Sequence, residues 1–135
     1  MKDVPDPSPS PPLGENAIPS AVGEFRALKG EIAAARRALV NMILYSDRHG
    51  PAQQKLVKDT ADTVSVHLSK LKECHGGATG FKALEETWEA FRRTRETEIV
   101  PAILAGERAH YESIGAGIQK ERLDRMYALI ALFVN

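Results

Sequence analysis

Cysteine occurs once, at position 74, so the chain cannot close an internal disulfide, and a lone thiol says little about compartment. Charge of one sign is not in excess. Eighteen Lys and Arg balance 18 Asp and Glu, and the two are mixed along the chain. That leaves no basic stripe to follow nucleic acid or an anionic membrane. Long apolar runs are also missing: the longest, from Met126 through Tyr127 to Val134, falls far short of the roughly 20 residues that span a bilayer. The first residues offer a lysine and then prolines where a signal peptide has an apolar core. The chain as it stands is therefore expected to be soluble and cytoplasmic, with no nucleic-acid partner and no membrane segment.

The spacings that bring cofactors into helical proteins are absent as well. Covalent haem needs two cysteines and a histidine in Cys-x-x-Cys-His, and "KECHGG" has one cysteine. Di-iron bundles need paired Glu-x-x-His motifs, and only Glu107-x-x-His110 occurs, at a helix start. Cys74 and His75 supply two ligands where a zinc site needs at least three. No nucleophile with a base and an orienting group is visible. The expectation is no metal, no cofactor, no catalytic residue and no enzymatic activity.

What the chain does have is helix-forming composition behind a proline-rich start. "MKDVPDPSPSPPLGEN" has almost nothing to bury and cannot repay its ordering entropy. Residues 1–17 are thus expected to form a disordered tail, or else a proline-rich ligand for another domain. Residues 18–135 form one domain, rich in Ala, Leu, Glu, Lys and Arg.

Hydrophobic spacing divides that domain into four helices. The first, from about Pro19 to Asp47, carries Phe25, Leu28, Ile32, Ala35, Leu39 and Met42 at alternating intervals of three and four. "DRHGP" ends it, and Pro51 suits the first turn of the next helix. The second, to about Glu73, repeats the pattern with Val57, Ala61, Val64, Leu68 and Leu71. "CHGGATG" reads as a loop, with Thr79 as the cap of a third helix bearing Phe81, Leu84, Trp88 and Phe91, then Ile99 and Ile103. Pro101 is expected to bend its last turns and Gly106 to stop it. The fourth helix starts at Glu107 and carries Ile114, Ile118, Leu123, Met126, Ile130 and Phe133. Nearly equal lengths and short turns predict an all-α fold, an antiparallel up-down-up-down four-helix bundle. Fusing the last two helices would leave a three-helix fold with one overlong rod.

The turns at Gly50 and Gly106 then fall at one end of the bundle. About 16 Å from that end, Arg95 interrupts the third apolar seam between Phe91 and Ile99. Gly115-Ala116-Gly117 and Ala33-Ala34-Ala35 thin the neighbouring helices at the same level, and Arg36 borders the first seam. Missing bulk beside seam arginines is how a small-anion pocket can be built. The competing reading has Arg95 snorkel to Glu96 or Glu98, with the small residues serving close helix packing. Arg48, with Asp47, His49, Arg108 and His110, makes a second polar group at the turn end, either a binding patch or a solvated tip. The candidate ligand-binding residues are Arg36, Arg48, Arg95, Gly115 and Gly117.

One stretch, "LEETWEAFRRTRETEIVPAILAGERAHYESIGAGIQKERLDRMYALI", resembles the second helical hairpin of the four-helix-bundle sensor domain of methyl-accepting chemotaxis proteins, which also fronts some membrane histidine kinases. The likeness lies in Trp88 and Phe91, in "IVPAILAGE" and in "GIQKERLDRM"; the first two helices match only in pattern and length. The resemblance implies a homodimeric, extracytoplasmic module that binds an organic acid or amino acid and shifts its fourth helix in response. This chain departs from the pattern in having neither flanking membrane helix nor signalling region, so an excised periplasmic module and a free-standing relative both fit. Two other functions remain: a structural or protein-interaction bundle without ligand, and a histidine phosphotransfer domain built on His67, read as exposed.

Overall fold

The computed structural model describes the backbone of residues 13–134, with side chains from residue 21 onward except Ser46. Of the predicted tail, residues 1–12 lie outside the described residues, and residues 13–17 are helical, the first turns of α1. All regular structure among the described residues is helical: α1 (Leu13–Leu44), α2 (Pro51–His75), α3 (Phe81–Thr94), α4 (Val100–Ala105), α5 (Arg108–Ala116) and α6 (Ile118–Val134). A short 3-10 turn, Ser46–Arg48, precedes α2, and a π-helical turn, Arg95–Ile99, joins α3 to α4 without a break. Counting α3, the π turn and α4 as one rod and α5 with α6 as another gives a four-helix bundle. In it α1 packs on α2 and α6, and α3 packs on α2 and α6.

The predicted seams form the core. Phe25, Leu28, Ile32, Ala35, Leu39 and Met42 of α1 are all buried, as are Val57, Ala61, Val64, Leu68 and Leu71 of α2. The third rod buries Phe81, Leu84, Trp88, Phe91, Ile99 and Ile103. Spacing by three and four keeps such residues on one helical face, so periodicity alone orients each rod. Trp88 also satisfies its ring N–H, which donates to the Ser65 hydroxyl at 2.9 Å. A second apolar cluster gathers Leu39, Met42, Val57, Ile103 and Tyr111, which places the turns around Gly50 and Gly106 at the same end. Side-chain amides lock that end: Gln53 donates to the Ala38 carbonyl at 2.7 Å and Gln54 to that of His49 at 2.9 Å.

Several local expectations are corrected. Helix α1 begins at Leu13 rather than near Pro19, and it ends at Leu44, where the 3-10 turn replaces its expected last residues. Thr79 does not cap α3; that place is taken by Gly80, whose φ of 91° only glycine adopts freely. The third rod accommodates Pro101 through the π turn, not a bend within a regular helix. Proline has no N–H to return to the preceding turn, and the Val100 N–H just before it bonds to the Arg95 carbonyl, five residues back.

The fourth rod is not continuous either. It breaks at Gly117, whose φ of −97° and ψ of −106° lie outside the helical region. Beyond the break Gln119, not Ile118, faces the core: Gln119 is buried while Ile118 is 46% exposed. Leu123, Met126 and Ile130 keep their predicted places inside.

Candidate functional site

The π turn of the third rod packs on α5, the segment that ends at the break of the fourth. Beside them a cavity of about 520 Å³ opens between α1, the third rod and the fourth, a size that suits a small organic ligand. Leu39, Phe91, Ile99, Tyr111 and Leu123 are among its lining residues. Its open side belongs to Gly115, where an added Cβ would meet nothing within 4 Å. In a register running Tyr111, Gly115, Gln119, Leu123, glycine stands where the core otherwise places bulk. Gly115 thus withholds a side chain from the cavity two residues before the helix break.

Polar groups reach it from two depths. Gln119 is buried in its wall, where Nε2 donates one N–H to the Phe91 carbonyl at 2.9 Å and Oε1 accepts from Arg122 at 2.8 Å, and Tyr111 brings a phenol group to the same lining. Arg36, Glu112 and Lys120 stand at the mouth, all exposed. Glu112 accepts from Arg108 at 2.8 Å, and Lys120 pairs with Asp124 at 2.9 Å. Among the described residues no hydrogen bond or ion pair engages the Arg36 guanidinium, so its positive charge is the one left uncompensated at the opening.

Arg95 does not line this cavity. It lies fully buried on the side of α1 and α2, donating to the Ala35 carbonyl at 2.9 Å and the Val57 carbonyl at 2.8 Å. Snorkelling toward Glu96 or Glu98 is thereby ruled out. Its Nε finds no partner, and no carboxylate is within salt-bridging reach among the described residues. Burial pulls the guanidinium down to about 10, against a small opposing pull from Glu96. Arg95 is thus a strut tying three rods together.

The other candidates separate. Arg36 and Gly115 meet at the cavity. Gly117 forms the break behind it, its N–H bonded to the Ser113 carbonyl at 3.1 Å. Arg48 sits at the turn end, its guanidinium 5.6 Å from the centre of the Tyr45 ring. The arrangement there is a tip rather than a pocket: Arg108 is held by Glu112 on its own helix, and His49 bonds the Met42 carbonyl at 2.7 Å. Sequence reasoning missed Tyr111 and Gln119. Their spacing of four on either side of Gly115 was the available signal, masked by the isoleucines next to them.

His67 differs from its predicted exposure. Its side chain is mostly buried between α1 and α2, with Nδ1 2.7 Å from Glu31 Oε1 and Nε2 2.6 Å from Glu24 Oε1. Both nitrogens can donate only in the imidazolium form. Burial by itself lowers the ring's affinity for a proton, but the bonds to Glu31 and Glu24 and their charges outweigh it and leave the pKa above 6.5. A raised folded-state pKa stabilises the fold in full below the unfolded value, and that contribution disappears as pH climbs through the folded one. The stability gap between wild type and His67→Asn is therefore expected to shrink as pH rises above about 6.5 in urea titrations. A gap that stays constant over that range would show the bridge to be inert.

Among the described residues no helix is long and apolar enough to cross a membrane, and no three His, Cys, Asp or Glu side chains gather where they could hold a metal. Comparison of the chain with protein-family models, with curated proteins and with solved structures finds no match.

Proposed function

We propose that this chain is a non-catalytic sensory module of the chemoreceptor type: an antiparallel up-down-up-down four-helix bundle, acting as a homodimer, that binds a small anionic ligand and passes the event on through its fourth rod. The cavity beside Gly115 is the observation that carries this reading. A bundle built for stability alone closes such an apolar opening between its rods, since contiguous exposed apolar surface marks binding sites. This chain instead places glycine there, with a break in one rod and a π-helical turn in another alongside, and π-helical turns occur often at functional sites.

The cavity also has a lever. Tyr111 and Gly115 belong to α5, while Gln119 and Leu123 belong to α6, so an occupant touches both sides of the Gly117 break. Filling the space would favour one angle between the two segments, a differential contact of the kind a ligand-driven shift requires. A periplasmic location follows if the chain is a module of a membrane receptor, and a cytoplasmic one if it stands alone.

The test is a thermal-shift panel of carboxylic acids and amino acids on the wild type and on Gly115→Leu, which fills the cavity. A ligand that binds only the folded state raises the melting temperature, by about 2.7 kcal/mol of stabilisation at a hundredfold excess over Kd. The expected result is a hit on the wild type that Gly115→Leu loses. A panel silent on both proteins favours the second reading, a protein-interaction bundle, for which Leu44, Leu56 and Leu104, each exposed toward the turn end, are the supporting observation. Histidine phosphotransfer is disfavoured by charge, because Glu24 and Glu31 flank His67 where an incoming phosphoryl group would carry negative charge of its own.

A further inference from the structure

Resting on the reading of the cavity as a ligand site, we propose that its ligand is an amphipathic monocarboxylate of medium chain length, held with its apolar body inside and its single carboxylate at Arg36. The chemistry of the wall selects the body. Leu39, Phe91, Ile99 and Leu123 present hydrocarbon, and the buried polar groups of the lining are few and uncharged: the Tyr111 phenol and the Gln119 amide, which bonds Phe91 and Arg122. A compact, multiply charged acid or an amino acid would lose its hydration inside with no buried charge to replace it. An alkyl chain gains from the same burial.

Charge at the mouth selects the head group. The Glu112 carboxylate is taken by Arg108 and the Lys120 ammonium by Asp124, which leaves one cation, Arg36, to meet one anion. A guanidinium presents two parallel N–H donors matched to a carboxylate. A neutral alcohol of the same length keeps the apolar contacts and forfeits the charge. A dicarboxylate keeps the charge and must bury or splay a second one. The ligand class is therefore shifted from the small polar acids that Arg95 would have selected, because Arg95 is turned to α1 and α2 and closed off by the Ala35 and Val57 carbonyls.

Calorimetric titration of the full chain with octanoate, octanol and succinate tests this. Octanoate is expected to bind several-fold more tightly than octanol, and succinate not to bind. Arg36→Ala, an exposed position, should weaken octanoate about threefold to fivefold, the scale of an exposed ion pair, and leave octanol unchanged. Gly115→Leu should abolish both, and Val40→Phe, a second substitution in the cavity wall, guards against a folding defect in the first. Equal affinity for octanoate and octanol, or indifference of octanoate to Arg36→Ala, would overturn the acid class while leaving the cavity a ligand site. Octanoate binding that survives both cavity-filling variants, or no binding by any of the three probes, would overturn the cavity assignment itself.

Discussion

Arg95→Met is expected to leave the bundle between equally stable and about 3 kcal/mol more stable than the wild type, while Arg95→Ala falls about 2–4 kcal/mol below the methionine variant. The Arg95 guanidinium is fully buried, has no carboxylate partner among the described residues and leaves its Nε unbonded. Its two hydrogen bonds go to helix carbonyls, and such neutral acceptors return only part of what a charge gives up on leaving water. The Val57 carbonyl also accepts from the Thr60 hydroxyl at 3.1 Å, so it is not orphaned when the arginine goes. Methionine keeps the unbranched volume and removes the desolvation cost; alanine removes both and leaves a void between three rods. The sign has a pH signature too. Arg95's folded-state pKa, held at about 10, lies below its ordinary value, so the unfolded chain binds more protons above pH 10 and the wild type should gain on the methionine variant there. Urea unfolding of the three proteins decides the matter: a methionine variant more than about 1 kcal/mol weaker than wild type would mean that the two bonds outweigh the burial.

Phe25→Ala is expected to cost about 3–5 kcal/mol, enough to threaten folding at ordinary temperature in a chain of this size. Phe25 is fully buried at the end of the bundle opposite Gly50 and Gly106, and it lies parallel on Phe133 with ring centres 4.0 Å apart. Phe81 meets it edge-on at 6.3 Å, and the His75 ring at 5.5 Å. One ring thus joins α1, α2, α3 and α6, and its loss opens a hole that four rods would have to close together. Phe133→Ala should cost less, because that ring is only partly buried. Thermal melts of both variants test the ranking; a Phe25→Ala loss below about 1 kcal/mol would show that this end repacks freely.

How much of this was legible in the sequence differs from rod to rod. In α1 and α2 every predicted seam residue is buried, because nothing interrupts the alternation of three and four that sets one face inward. The third rod kept its seam through the π turn, since Phe91, Arg95 and Ile99 are spaced by four and one added residue of hydrogen-bond length does not carry them off the face. The turn itself left no mark beyond Pro101. The fourth rod was misread where Gly115-Ala116-Gly117 gives no side chain to orient it: Ile118 looked apolar enough for the core, although Gln119 stands four residues before the buried Leu123.

The candidate site was half legible for a related reason. Glycines at one level announce missing volume, and Arg36 and Gly115 do meet at the cavity. A seam arginine, however, can turn toward either neighbouring helix, and spacing does not say which. Arg95 turned to α1 and α2, where the Ala35 and Val57 carbonyls were within reach. The wall that remained is apolar, which changes the class of ligand rather than the position of the site.

Where a ligand sits is the central question, and a map of backbone amide shifts in ¹⁵N-labelled protein titrated with octanoate answers it most directly. Saturable shifts concentrated at Leu39, Val40, Ile99, Gly115 and Leu123, with Phe25 and Phe81 at the far end unmoved, are the predicted result. Shifts confined to the exposed leucines near the turns, or scattered without saturation, would contradict the cavity as a binding site.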